Sequence, residues 1–317
     1  MNHEEHEYEA EFDLPLTIDA LVKALETEHE VTPVECTQDF VHWIARLVLE
    51  KPDIIFNIAE GYSGAARESL YPAIFEQLGI QYSGPGPTEL LVCHNKALTK
   101  TLLERCGIPL AWDKILKSPD DLRQLKETNL PFPLIVKLNS EGSSMGMDEH
   151  CIVNNWDELS QQVTAVWGKF HTNILVEQFI EGIDLSTSFI EGMGVFGPVQ
   201  YTHDDAKIYD FRLKTLDNHT IDVVDPKDIP ANIRTRLKDL TKQIASVLDI
   251  NGYGRADFRL TSDGSIYFLE MNAQVCFHPS GAFVLAAHNE GHSFEDIVLH
   301  IVRYAKTHTR RTSIPGR

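Results

Sequence analysis

At 317 residues, with 43% hydrophobic and 24% charged side chains, the chain is long enough for two or three packed units with real cores. Its net charge of −19, from 28 basic against 47 acidic residues, argues against nucleic-acid and anionic-membrane partners. Five scattered cysteines without CxxC spacing, an acidic start (MNHEEHEYEAEFD) and no apolar run of about 18 residues predict a cytoplasmic protein without structural zinc, signal peptide or membrane span.

Strand-like and helix-like segments alternate, which is the α/β pattern. Helical spacing of Ile18, Leu21, Val22 and Leu25 predicts a helix over 17–28. Residues 53–58 read as a short apolar strand, followed by the turn-rich Glu60-Gly61-Tyr62-Ser63-Gly64. A helix over 68–78 stops at Gly79, a good C-cap. The cluster Ser83-Gly84-Pro85-Gly86-Pro87 predicts a boundary, so residues 1–90 read as a first domain.

A second unit, 91–180, opens with a helix over 95–106 that ends at Gly107-Ile108-Pro109. It continues with a strand over 132–138, a Gly/Ser loop, a helix over 156–166 and a strand over 174–179. The third, 181–317, holds a strand over 184–191, a long amphipathic helix over 231–248, a hairpin and a final helix. That last helix starts at Ser293, with Asp296 giving a capping-box pattern.

The hairpin, GRADFRLTSDGSIYFLEMN, carries the clearest chemistry. Asp263-Gly264 predicts a two-residue type I′ turn, because both central positions of that turn need positive φ. Asp257 then faces Glu270, Arg255 faces Asn272 and Arg259 faces Phe268, all on one side. Ala256, Phe258, Leu260, Tyr267, Leu269 and Met271 form the opposite, core face. Opposed carboxylates, with Cβ atoms about 4.5–5.5 Å apart, repel each other and can converge on one Mg²⁺. By itself the hairpin fits equally well a solvated face in which Arg255 and Arg259 neutralise the acids.

Lys137 leaves an apolar strand directly into Asn139-Ser140-Glu141-Gly142-Ser143-Ser144-Met145-Gly146-Met147. An ammonium beside a loop of glycines and hydroxyls suits a polyphosphate, and such a loop can close as a lid. Taken alone, an ordinary surface loop is the simpler reading. The segment ILVEQFIEGID, from Ile174 to Asp184, is a strand, a short turn and an acid, able to meet an adenine edge and a ribose. Lys96 and Lys214 read as surface lysines, and His288 and His292 as exposed histidines. No Walker A motif occurs.

Seven segments taken in order are PDIIFNIAEG, LGIQYSGPGP, NKALTKTLLERCGIP, PLIVKLNSEGSSMGM, LVEQFIEGID, GYGRADFRL and YFLEMN. Together they resemble the ATP-grasp superfamily, specifically its D-alanine–D-alanine ligase-like branch, across most of the chain. The resemblance implies an α/β fold with an N-terminal parallel-sheet domain and a two-subdomain ATP-grasp module. It also implies an ATP- and Mg²⁺-dependent ligase that phosphorylates a carboxylate, lets an amine attack, and releases ADP and phosphate.

By position, Lys96 and Lys137 would contact the ATP phosphates, covered by a loop contributing Glu141, Gly142, Ser143 and Ser144. Glu177, Gln178, Phe179 and Ile180 would line the adenine pocket. Asp184 would meet the ribose, where the family usually has Glu. Lys214 would reach the transferred phosphate, Arg255 would stabilise charge on the acyl centre, and Ser144 of the covering loop is a further catalytic candidate. Asp257, Glu270 and Asn272 would hold a pair of Mg²⁺ ions, which Mn²⁺ can replace. Relatives in this branch imply small-molecule substrates and a homodimer through the first domain.

The chain departs from this pattern where substrates bind. The family's glycine-rich, glutamate-bearing N-terminal loop is absent before Phe12, Glu60-Gly61 stands in place of His-Gly, and Asn95-Lys96 replaces Asp-Lys. After Asn272 the chain reads AQVCFHPSGA in place of a Pro-Gly-Met-rich segment. The ATP half is kept and the acceptor half rebuilt, which makes Glu60, Cys276, His278 and Ser280 the candidate substrate contacts. The stretch MNAQVCFHPSGAF resembles the ligases of mycosporine biosynthesis, which join an amino acid to mycosporine-glycine. A dipeptide ligase and a nucleotide-binding protein without turnover are the competing readings.

Overall fold

The computed structural model describes residues 13–142, 144–148, 150–202 and 222–308, so Ser143 and Lys214 lie outside the described residues. Helices come first: α1 (Pro15–Leu25), α2 (Phe40–Glu50), α3 (Arg67–Leu78), α4 (Pro87–His94) and α5 (Lys96–Glu104). Gly79 ends α3 in the left-handed conformation, as its position predicts. The Gly/Pro cluster leads into a helix that the residue pattern did not predict. Gly86 caps α4 and Pro87 takes its first turn, where a missing N–H costs nothing.

The strand expected over 53–58 shrinks to one parallel bridge between Ile55 and Tyr82. Two residues further on, the Ser83 hydroxyl accepts from the Asn57 amide at 3.0 Å, so a side chain takes the ladder's next bond. The core there comes mostly from helices: Trp43, Leu47, Tyr71 and Phe75 pack together with Tyr82.

A four-stranded antiparallel sheet follows, built from β1 (Asp113–Leu116), β2 (Leu134–Leu138), β3 (Ile152–Val153) and β4 (Ile174–Gln178) in the order β1-β4-β2-β3. Helix α6 (Trp156–Phe170) buries Leu159, Val163 and Val166 against Leu134, Val136 and Ile174 of this sheet. The second sheet contains β5 (Ile183–Ile190), β6 (Gly194–Thr202), β7 (Asp222–Val224), β8 (Tyr253–Leu260) and β9 (Ile266–Asn272). Its order is β7-β6-β5-β8-β9, antiparallel throughout. Helices α7 (Ala231–Val247) and α8 (Ala282–His288) pack on β5 and β6, while α9 (Phe294–Thr307) lies against α1. The capping box of Ser293 and Asp296 forms at the start of α9.

The hairpin keeps part of its expected register. Arg255 pairs with Asn272 and Asp257 with Glu270, but then the ladder slips: Phe258 pairs with Phe268 and Arg259 with Tyr267. Leu269 is the extra residue, a β-bulge. The bulge exchanges faces on β9. Phe268 becomes fully buried against Phe258, with ring centroids 5.9 Å apart, while Leu269 turns to the opposite, cavity side. The slip also changes the turn. Gly264 donates to the Thr261 carbonyl and only Gly264 has positive φ, at 86°, so the connection is longer than the two-residue I′ turn.

The N-terminal helices are fastened to β8 at a close backbone approach. Gly84 has φ +85°, and a Cβ there would sit 2.5 Å from the Tyr253 hydroxyl, which itself donates to the Asn57 carbonyl at 3.1 Å. Gly64 has φ +91° with nothing within 4 Å of such a Cβ. Substitution of either by alanine incurs backbone strain of about 1–3 kcal/mol. Gly84→Ala adds a clash with a buried ring, so urea denaturation should show a clearly larger loss for Gly84→Ala than for Gly64→Ala.

Candidate active site

One cavity of about 780 Å³ runs between the two sheets and the N-terminal helices. Every sequence-derived candidate among the described residues lines it: Glu60, Lys96, Lys137, Glu141, Gly142, Ser144, the segment from Glu177 to Ile180, Asp184, Arg255, Asp257, Glu270, Asn272, Cys276, His278 and Ser280. The chain brings together residues more than two hundred positions apart, and it does so by strand ends and helix starts.

At one end sit the acids of the hairpin. Asp257 accepts four hydrogen bonds: from Arg255 Nε and Nη2, both at 2.8 Å, from Asn272 Nδ2 at 2.8 Å and from Ser186 Oγ at 2.6 Å. The solvated-face alternative gave Arg255 this partner, and the structure shows the pair, but inside a cavity. Arg259 does not share it: the register of β8 with β5 sets Arg259 directly opposite Asp184, and its guanidinium meets that carboxylate at 3.0 Å and the Gly182 carbonyl at 3.1 Å.

Glu270 faces Lys96 Nζ at 3.4 Å. Burial works against its charge, yet Lys96, Lys137 and Arg255 together bring its carboxyl down to about 2. Burial likewise opposes the charge on Arg255, and Asp257 beside it outweighs that and keeps the guanidinium protonated. Tyr201, absent from the sequence reading, completes this corner. Burial first, then the neighbouring acids, push its phenol up to about 12.

The lysines converge on Glu177. This carboxylate is 2% exposed and ion-paired to both Lys137 and Lys100. Burial raises its pKa, but the two cations dominate and hold it ionised, and it in turn raises Lys137 above the ordinary lysine range. Lys100 also meets Asp113 at 3.6 Å and the Ala111 carbonyl at 3.3 Å. The Glu177 side chain is therefore a counter-charge for lysines at the cavity wall, and the connector beyond it, Gln178 to Ile180, continues that wall. Lys100 was legible in NKALTK: four residues after Lys96, it lies on the same helix face.

The Gly/Ser loop is anchored at several points. Arg67, at the start of α3, pairs with Glu141 at 3.0 Å and lies 2.8 Å from His94 Nε2, while His94 Nδ1 meets Glu68 at 2.7 Å. Lys96 Nζ donates to the Glu141 carbonyl at 2.5 Å. Buried Asn139 accepts from the Ala97 amide at 3.0 Å and donates to Asn95 Oδ1 at 3.0 Å. Met145, 6% exposed, inserts into the core beneath α6. Ser144 holds φ 58°, an uncommon conformation for a side chain with a Cβ.

At the acceptor end, the Cys276 thiol faces Asp13 at 3.7 Å, and burial pushes the Asp13 carboxyl up to about 6. His278 Nδ1 accepts from the Ser280 amide at 3.1 Å.

The cavity suits a hydrated divalent cation carried with a polyphosphate. The set on offer is two hard carboxylates and an amide, ringed by Lys96, Lys137 and Arg255. Among the described residues no group of three His, Cys, Asp or Glu side chains is placed to hold a metal by itself. Mg²⁺ is commonly held in this way, by one or two carboxylates with phosphate oxygens and water completing the shell. Among the described residues no helix is long and apolar enough to cross a membrane.

Comparison with known proteins places the chain by family and fold. The D-ala D-ala ligase C-terminus family matches residues 102–303. The D-alanine–D-alanine ligase B of Pseudomonas putida is 31% identical over 287 residues, covering 89% of this chain and 85% of the relative. The D-alanine–D-alanine ligase of Gluconobacter oxydans is 28% identical, covering 90% and 92%. The crystal structure of the Bacillus anthracis D-alanine–D-alanine ligase superposes with a TM-score of 0.74 at 20% identity, covering 96% of this chain and 94% of that one.

Two outcomes follow for the charged cluster. Lys100→Met leaves Glu177 one cation short in a buried site, which should cost about 3–5 kcal/mol of unfolding free energy. Adding Glu177→Gln should recover part of that loss in urea denaturation. For Glu270 the folded carboxyl lies near 2, below its ordinary value of 4.5, so its ionisation stabilises the fold above that value and the benefit is lost as pH falls toward 2. The stability difference between wild type and Glu270→Gln should therefore shrink between about pH 5 and pH 2.5, read by thermal melting across the series.

Proposed function

The chain belongs to the D-ala D-ala ligase family of ATP-grasp ligases, and we propose that it uses ATP to join a small-molecule acid to an amine. The observation that carries the reading is the single cavity where opposed Asp257 and Glu270 meet Lys96, Lys137 and Arg255. Fixed cations beside fixed acids are what transfer of a charged phosphoryl group needs.

Each group has a task in that reaction. Lys96 and Lys137 offset charge on the phosphates as the γ-phosphoryl passes to the acid. Glu177 keeps Lys137 charged and aimed. Arg255, locked by Asp257, presents its guanidinium to the oxygen where charge develops on the acyl phosphate. Asp257, Glu270 and Asn272 would hold Mg²⁺, which would offset the negative charge of the nucleotide's phosphates. The loop at 139–147, tethered through Glu141 and Met145, keeps water from an acyl phosphate that water would destroy. The Gln178–Ile180 connector lines the adenine side. Asp184 reaches the ribose only by sharing its carboxylate with Arg259.

The relatives are named for joining D-alanine to D-alanine, and that is the nearest substrate reading. The rebuilt acceptor end favours a second: addition of an amino acid to mycosporine-glycine, whose conjugated ketone behaves as a vinylogous carboxylate. Glu60, Cys276, His278 and Ser280 are the contacts that would differ. The same reading carries a homodimer, which sedimentation of the purified chain measures.

ADP release should be measured with D-alanine alone and with amino acids plus mycosporine-glycine, using mass spectrometry to identify products. Amine-dependent ADP release with a new C–N bond is expected, and Lys137→Ala or Glu270→Ala should slow it about 10²–10³-fold, the scale of removing one preorganised electrostatic group. ADP release by those variants at the wild-type rate would sink the reading.

A further inference from the structure

The attacking amine sets a requirement that the charged cluster does not meet. An amino acid carries its amine as an ammonium near neutral pH, and only the free base can attack an acyl phosphate, so a proton has to be taken at the acceptor end. Most of the acids lining the cavity already have a basic partner: Glu68 has His94, Glu141 has Arg67, Glu177 has two lysines, Asp184 has Arg259, Asp257 has Arg255 and Glu270 has Lys96. Carboxylates engaged in this way are weak bases. His278 is no better placed. Its Nδ1 accepts from the Ser280 amide at 3.1 Å, which puts the ring proton of the neutral form on Nε2.

Asp13 differs. It is half-buried and lines the cavity, and among the described residues the titratable group facing it is the Cys276 thiol, at 3.7 Å. Burial pushes its carboxyl up to about 6, with the thiol acting the other way. Arg255 acts on the same thiol, so the carboxylate and the guanidinium are gathered around one side chain. The core fixes that placement. Asp13 stands two residues before α1, whose Leu21, Ala24 and Leu25 pack in the same cluster as Val275 and Phe277, the neighbours of Cys276.

We propose that Asp13 is the general base of the C–N bond-forming step, taking a proton from the substrate ammonium beside Cys276. This rests on the ligase reading above. The carboxylate accepts one ammonium proton, and the freed nitrogen pair attacks the activated carbon next to Arg255. The C–O bond to phosphate then breaks, its electron pair leaving on the phosphate. The nitrogen's remaining surplus proton departs with that phosphate, and Asp13 returns its own proton to water. A base whose pKa lies a little below the working pH is mostly ionised and still takes a proton readily, which is the balance general-base catalysis favours.

Hydroxylamine separates this role from others, because it is largely unprotonated at pH 7 and needs no base. Wild type and Asp13→Asn are given ATP with D-alanine, or with mycosporine-glycine and alanine, together with hydroxylamine. Mass spectrometry then follows the amino-acid adduct and the hydroxylamine adduct. Asp13→Asn should form the hydroxylamine adduct at the wild-type rate, which also shows that it folds and still activates the acid. Its kcat for the amino-acid adduct at pH 7 should fall about 10²-fold or more, and should recover about tenfold per pH unit toward pH 9 as free amine replaces the missing base. Wild type should stay nearly flat over that range. The proposal is overturned if both adducts fall together, if only the KM for the amino acid rises, or if raising the pH fails to restore the variant. It is equally overturned if Asp13→Asn keeps the wild-type rate for the amino-acid adduct, or if Glu60→Gln shows the expected pattern in its place. If wild type forms neither adduct, the ligase reading itself fails and this inference falls with it.

Discussion

Two carboxylates set opposite each other in a low-dielectric cavity repel unless cations reach both, and that requirement organises the site. Arg255 answers it for Asp257 from two residues away on the same strand. For Glu270, which Arg255 also steadies, most of the answer comes from outside the hairpin. It comes from Lys96 at the first turn of α5 and Lys137 at the end of β2. A local charge conflict thereby ties the N-terminal helices and the first sheet to the second. The same surplus of fixed charge is what a nucleoside triphosphate and its metal would meet on entering.

Charge conflicts are passed on in this structure. Lys137 would be a poorly solvated ammonium without Glu177, and Glu177 would be a poorly solvated carboxylate without Lys137 and Lys100. The chain of pairs ends at Asp113 and the Ala111 carbonyl. Such a network gains little net stability over an apolar core of the same shape, and its members are costly to remove singly. Its presence beside a cavity is better understood as preorganisation: the lysines are aimed before any ligand arrives, so no reorganisation is needed at the moment of reaction.

Much of this was readable from residues alone, for identifiable reasons. The pairing of Asp257 with Glu270 follows from alternation along the strands, and the start of α9 from the Ser293–Asp296 cap. Helix α4 was missed because Gly and Pro mark helix starts as readily as domain breaks. The half-slip in the hairpin was missed because Asp-Gly also serves longer turns, and because burying Phe268 on Phe258 outweighs an unbroken ladder. Partners far apart in sequence left no periodic trace. Arg67 with Glu141, Ser186 with Asp257, and Tyr201 beside Arg255 became visible only when the sheets were in place.

The central claim is that the hairpin acids hold a metal only together with a nucleotide. Mn²⁺ binding, followed by electron paramagnetic resonance with and without ADP, measures that directly. The account predicts weak binding by the protein alone, much tighter binding with ADP, and loss of the tight mode in an Asp257→Asn/Glu270→Gln double variant. Equal Mn²⁺ affinity with and without ADP, or a tight mode that survives in the double variant, would contradict it.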